Sequence, residues 1–402
     1  MARELDARAV AMYADLPPCR DHVTALHALV GSLEGVGRFR EAAELSARAV
    51  AVARRLRNPS VLKEALADHA WSQSMAGDAS GARLTINELT AIELDPPDPY
   101  CEMEVAVCVT DILLMTGAPA DQLVDIAQPA LAAADRWGLH QWADAILRCN
   151  VAEALVAQGD PHHSWDLVAP YTEGDPVQER WPLHEQRAVL ELLRGRAEEA
   201  QRHILAVGEG PVPRLGLAFR LGYHAIAATI ELWGGQPTVA LDRAIPVLES
   251  GEETEEPVML ASLLVLAARA AADARDRAHG AQLRALHRRL TGDPFAPHPL
   301  LVTPAAAGAT WTAELARLEG SETVEGWVAA AKAWDHLTRP YDSAYCRWRG
   351  AQVALAAAQG TLAGRLLKRA GVDARGHVPL TEAIRSTVAA RALDEDATST
   401  PG

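Results

Sequence analysis

Residues 70–82, AWSQSMAGDASGA, carry the pattern that decides the fold. Gly77 is followed at once by Asp78, with Ala70 seven places before it and Ala82 five places after. The glycine recurs along the chain as Gly37, Gly77, Gly117, Gly159, Gly195 and Gly235, at steps of 40, 40, 42, 36 and 40 residues. Ala42, Ala200 and Ala240 repeat the position five after it, Ser164 is equally small, and Gln122 departs. Ala152, Ala188 and Ala228 repeat the position seven before it, with Val30 and Thr110 as exceptions. A helix A that ends at the glycine can turn through the left-handed region without a Cβ penalty. Helix B then begins within one or two residues, where Asp78 and Asp160 suit a helix start. Small side chains about two turns before and one turn after the corner let the two helices approach closely. One such hairpin cannot bury its apolar face alone, so a period of this size predicts a stack of hairpins sharing a continuous core.

The expected fold is all-α: a right-handed solenoid of antiparallel helical hairpins with a period of about 40 residues. Its A helices are predicted at 21–36, 60–76, 100–116, 139–158, 179–194 and 216–234, after a lead helix over 2–16 that Pro17 and Pro18 stop. A seventh hairpin over 257–291 lacks the corner glycine. Residues 1–291 are thus read as a solenoid of about seven hairpins. Four prolines make 292–304 a loop and a candidate subdomain boundary. Helical repeats resume over 305–393 as 305–319, 322–338, 341–359, 361–371 and 379–393, and the tail 394–402 is expected to be disordered.

Composition agrees. Phe, Tyr and Trp make up 5% of the 402 residues while Ala and Leu dominate, which favours helix over sheet. The net charge of −15 repels a phosphate backbone and argues against direct nucleic-acid binding. The basic run RDRAHGAQLRALHRR over 275–289 is read as a solvated helix face. Cys19, Cys101, Cys108, Cys149 and Cys346 form no metal-ligand spacing and suit reduced thiols in a cytoplasm. The opening MARELDARAVAMYADL reads as a charged amphipathic helix rather than a signal peptide. No run of about 18 apolar residues is apparent, so no membrane span is expected.

The corner pattern resembles a degenerate, lengthened tetratricopeptide repeat. A sharper resemblance lies in WVAAAKAWDHLTRPYDSAYCRWR over 327–349, with Trp327 and Trp334 seven apart, then Arg339, Pro340, Tyr341, Ala344, Tyr345, Arg347, Trp348 and Arg349. This segment is similar to the end of the helical-repeat region in large ATP-binding LuxR-type transcriptional regulators, relatives of the maltose-operon activator. LDARAVAMYADLPP and GRFREAAELSARAV are similar to where that region begins. In that family an ATPase precedes the repeats and a DNA-binding helix-turn-helix follows. This sequence contains no G-x-x-x-x-G-K-[ST] motif and ends about where the DNA-reading domain would start, so neither activity is carried over. The resemblance implies a non-catalytic sensor module that binds a small-molecule inducer or a protein partner and mediates assembly, homo-oligomers included. A free-standing peptide-docking adaptor is the alternative. For Trp327, Trp334, Tyr341, Tyr345 and Trp348 themselves, packing in a terminal core competes with a ligand pocket.

Catalytic and cofactor signals are absent from the sequence. His184-Glu185 lacks the second histidine of H-E-x-x-H, and no G-x-S-x-G occurs. His162 and His163 beside Pro161 suit a helix start, and Cys101 and Cys108 suit packing. Glu249, Glu252, Glu253, Glu255 and Glu256 read as an acidic linker rather than a calcium site. No enzyme, cofactor or metal is expected.

A ligand would sit on the concave face lined by the A helices. Six places before each corner glycine stand Gly31, Trp71, Asp111, Glu153, Val189 and Thr229, and His27, Glu64, Glu104, Glu185 and Trp233 lie nearby on that face. The expected site is an acidic groove of Trp71, Asp111, Glu153, Glu185, Thr229 and Trp233, suited to a basic or apolar peptide or a cationic small molecule stacked on tryptophan. Trp71 and Trp233 either anchor such a ligand or pack between A helices.

Overall fold

The computed structural model describes residues 2–139, 142–173, 180–209 and 216–399. Among them stand twenty α-helices and no strand, so the chain is all-helical. A lead helix α1 (Ala2–Met12) precedes α2 (Arg20–Glu34), α3 (Phe39–Leu56), α4 (Pro59–Met75), α5 (Ala79–Thr90), α6 (Pro99–Met115) and α7 (Ala120–Trp137). Then come α8 (Trp142–Ala157), α9 (Pro161–Val168), α10 (Trp181–Leu193), α11 (Ala197–Glu209), α12 (Leu217–Trp233) and α13 (Pro237–Ser250). The chain continues through α14 (Pro257–Ala274), α15 (Arg277–Arg289), α16 (Thr303–Glu319), α17 (Val324–His336), α18 (Pro340–Ala356), α19 (Gly360–Asp373) and α20 (Val378–Ser399). The expected A helices fall within three residues of α2, α4, α6, α8, α10 and α12, although His140, Gln141 and residue 179 of the predicted spans lie outside the described residues. The expected disordered tail is helical as far as Ser399, and residues 400–402 lie outside the described set.

One backbone device closes every corner. The six glycines all take the left-handed conformation, with φ between 71° and 88°. The residue after each donates its N–H to the carbonyl five places back: Arg38 to Leu33 at 3.0 Å, Asp160 to Leu155 at 2.8 Å, Gln236 to Glu231 at 2.9 Å. This is the six-to-one bond that satisfies an orphan carbonyl at a helix end. Asp78 and Asp160 cap the next helix, accepting from Gly81 N at 2.9 Å and His163 N at 3.2 Å. The flanking small residues are sealed in: Ala42, Ala152, Ala188, Ala200 and Ala228 are all 0% exposed. Each even-numbered helix from α2 to α14 packs against the odd-numbered helix after it and against the next even-numbered helix.

The later part of the chain lies on the earlier corners. Gly37 O accepts from Glu255 N at 2.7 Å, Gly35 O from Ala218 N at 3.2 Å, and Met115 O from Val302 N at 3.3 Å. A Cβ added at Gly77, Gly117, Gly159 or Gly195 would stand 3.3 Å or less from His298, Val302, Pro340 or Val378 respectively. Helix α20 packs on α10, and Leu301 shares a small core with Phe39 and Met75. The corners therefore divide into two kinds. Gly37, Gly77, Gly117, Gly159 and Gly195 are each covered by a later segment, whereas Gly235 and Gly320 have nothing within 4 Å of an added Cβ. Four further left-handed positions, Arg57, Arg275, Thr338 and Ala358, are exposed and dispense with glycine. Glycine is thus required twice over at the covered corners, for its dihedral and for its missing side chain.

Three sequence features find partners within the fold. Of the expected loop over 292–304, residues 292–302 are irregular while Thr303 and Pro304 open α16, and the loop is packed, with Phe295 against Trp311 and Leu301 3% exposed. The basic run and the acidic linker pair with neighbouring elements and with each other: Arg289 with Glu252 at 2.9 Å, Arg40 with Glu255 at 2.9 Å, and Arg284 with Glu319. Helix α14 does reach the length and apolarity of a membrane span, contrary to the reading of the sequence. Just over half of it is buried, and it carries Arg269 and Asp273, as a core helix does.

Candidate functional site

The register that places Asp111, Glu153 and Thr229 six residues before their glycines puts all three on one face of successive A helices. That face, with Trp233, forms one wall of a cavity of about 400 Å³. The opposite wall comes from the later chain: Met259, Ser262 and Arg269 of α14, Thr310 and Glu314 of α16, Tyr341, Asp342 and Tyr345 of α18, and Arg339 and His377 from the joins. Two predicted residues stand behind this wall rather than in it. Trp71 packs edge-on against Phe39 and donates its indole N–H to Asp111. Glu185 sits near Glu153 with its Oε1 buried and without a hydrogen-bond partner.

Burial works against the charge of this acidic face. Desolvation pushes Asp111 up to about 6, against the Trp71 hydrogen bond and with help from the Glu153 charge. Burial also raises Glu153, opposed by Arg339, and raises Glu185 well above the usual carboxylate range, with Glu153 adding to it. Asp342 is raised by burial and opposed by Arg339. The face continues upstream through Glu104, Asp68 and Glu34. Burial takes Glu34 up to about 8 although Ser72 donates to it at 2.7 Å. The Asp68 carboxylate, hydrogen-bonded to His27, draws that imidazole up to about 9.

The opposite wall is basic and aromatic. The Arg269 guanidinium lies 4.4 Å from the Trp233 ring centre and 4.8 Å from that of Tyr345. His377 meets Trp233 at 5.0 Å, and burial lowers it to about 4, so it stands neutral at pH 7. Beneath Arg269, Asp273 accepts from Arg317 at 2.8 Å and Arg349 at 2.9 Å. Glu314, fully buried, pairs with Arg317 at 2.7 Å and accepts from the Tyr345 hydroxyl. Trp334 donates to Thr310 at 2.8 Å, and Trp327, Trp348 and Tyr345 fill the surrounding core.

The structure therefore brings Asp111, Glu153, Thr229 and Trp233 together and sets Trp71 and Glu185 behind them. The ring face expected to stack a ligand's cation on Trp233 is taken by the protein's own Arg269. Of the second wall, sequence reasoning had singled out Trp334, Tyr341 and Tyr345 as packing or pocket residues, but it missed Arg269, Thr310, Glu314 and His377, which lie outside the glycine register and that segment. One signal was available: Arg269 is the single charge in the run VMLASLLVLAARAAA over 258–272, where an unpaired arginine needs a reason. Among the described residues no three His, Cys, Asp or Glu side chains are placed to share a metal ion. In comparison with known proteins, no family model and no curated protein matches the chain.

Proposed function

We propose that the chain is a right-handed solenoid of degenerate tetratricopeptide-like hairpins that serves as a non-catalytic sensor module, related to the repeat region of LuxR-type regulators. It binds a small-molecule inducer in the cavity between its earlier and later helices. The observation that carries this reading is the cavity itself: one volume of about 400 Å³, lined by charges from both parts of the chain. That size suits a small organic molecule, and a few convergent polar groups set in apolar walls are what such sites use. A ligand touching both walls ties the ends of the fold together, so binding is transmitted to the outer surface as added rigidity. Five free thiols support a reducing, cytoplasmic setting. The adaptor reading draws on the same acidic face further upstream, where His27 and Glu104 are exposed to solvent and suited to a basic peptide.

The test is a thermal-shift screen of small amines, carboxylates and zwitterions against the wild type and Glu153→Gln. Hits whose shift changes in the variant support the sensor. Capture of a stoichiometric basic partner, lost on Glu104→Gln and untouched by Glu153→Gln, supports the adaptor instead.

A further inference from the structure

Arg269 has only a long ion pair with Asp273 and an unbonded Nε. Its residue is 8% exposed, and the contact from Nε to Asp273 is too long for a hydrogen bond. Asp273 Oδ1 is committed to Arg317 and Arg349, its Oδ2 stands 3.6 Å from Arg269 Nε, and Glu314 is committed to Arg317 and Tyr345. Three guanidinium groups thus share two carboxylates, which leaves one positive charge in excess beside open volume. His377, the remaining titratable group against Trp233, stands neutral. A buried guanidinium without acceptors is costly, and its planar fork of donors matches a carboxylate. Trp233 and Tyr345 hold the guanidinium between their rings by cation–π contact, at 4.4 and 4.8 Å, and the group lines the cavity.

We propose that this cavity binds a small organic monocarboxylate, its carboxylate forked on Arg269 and its apolar or aromatic body against Trp233, Tyr345 and Trp334. This deepens the sensor reading and rests on it. The other carboxylates of the cavity narrow the class further. Asp111, Glu153 and Asp342 line the same volume and repel a second negative charge, so a monoanion or a zwitterion fits and a polyphosphate does not.

Isothermal titration of the full chain with benzoate, benzamide and benzylamine tests the assignment. Benzoate is expected to bind saturably and at least tenfold more tightly than the isosteric benzamide. Arg269→Lys keeps the charge and removes the fork, and should weaken benzoate by about tenfold. Because Arg269 also stacks on two rings, Glu153→Gln provides an independent variant outside that packing. It should tighten benzoate by removing a repelling charge. Equal binding of benzoate and benzamide, or no change in both variants, overturns the assignment. Binding of benzylamine alone overturns the carboxylate and leaves ligand sensing standing. No saturable response to any of the three overturns both.

Discussion

The covered corners predict an asymmetry between two glycines that have the same backbone. Gly37 and Gly235 have φ of 72° and 71°, and each is followed by the same six-to-one hydrogen bond. Alanine at either position carries a left-handed cost of about 1–2 kcal/mol. At Gly235 nothing lies within 4 Å of the added Cβ, so that cost is the whole effect. At Gly37 the Cβ would overlap Thr254 Oγ1 and stand 3.0 Å from Thr254 Cβ. Thr254 cannot retreat freely: it is 2% exposed, and the next residue is tied to Gly37 O at 2.7 Å and to Arg40 N at 3.0 Å. Overpacking of this kind adds about 1–3 kcal/mol, so Gly37→Ala should cost about 2–5 kcal/mol against about 1–2 for Gly235→Ala. Urea unfolding followed by circular dichroism measures both, compared at equal m-value because a repeat array need not be two-state. Thr254→Ala deletes the obstructing hydroxyl, so the Gly37→Ala/Thr254→Ala double variant should recover at least about 1 kcal/mol relative to additivity. Equal losses at the two glycines, or additivity in the double variant, would refute the claim that a later segment seals the Gly37 corner.

Further outcomes follow from the same geometry. Glu34 at about 8, Glu256 at about 7 and Asp111 at about 6 are raised above their unfolded values, so the folded chain holds protons the unfolded chain releases. Their contribution is complete below the unfolded carboxylate pKa and is lost by about pH 6 for Asp111, 7 for Glu256 and 8 for Glu34, so stability should fall as pH rises from the ordinary carboxylate range to about 8. Glu34→Gln, which still accepts from Ser72, should flatten the fall and gain more than ~1.4 kcal/mol at pH 8, the worth of one pKa unit, in urea titrations across pH. On the acid side, His224 and His377 are lowered to about 4, and protonating them should destabilise the fold as pH drops from 6.5 toward that value; His377→Phe should blunt the loss. Arg275 occupies a left-handed corner at φ 56°, and Arg275→Gly should raise the urea midpoint by the equivalent of about 1 kcal/mol. Ala188, 0% exposed at the seam, should lose about 1–3 kcal/mol as Ala188→Leu, whereas the exposed Ala358→Leu should stay within about 1 kcal/mol.

The sequence by itself determined the corners. A glycine that must turn left, an aspartate that caps the next helix, and small residues at fixed offsets act within one or two helical turns. Such short-range requirements are written in spacing, so the A helices and the shared face of Asp111, Glu153 and Thr229 were legible. Only the tertiary structure decided what faces them. Thr254 reaches Gly37 and Val378 reaches Gly195 across some 180 to 220 residues, and no periodicity encodes which later segment meets which corner. The second wall followed from that meeting: Arg269 and Tyr345 came to oppose Glu153, and Trp233 met an internal guanidinium where a ligand's cation had been expected. Local rules fix how each helix ends, whereas long-range packing, which depends on the summed shape of every intervening unit, fixes what the helix faces enclose.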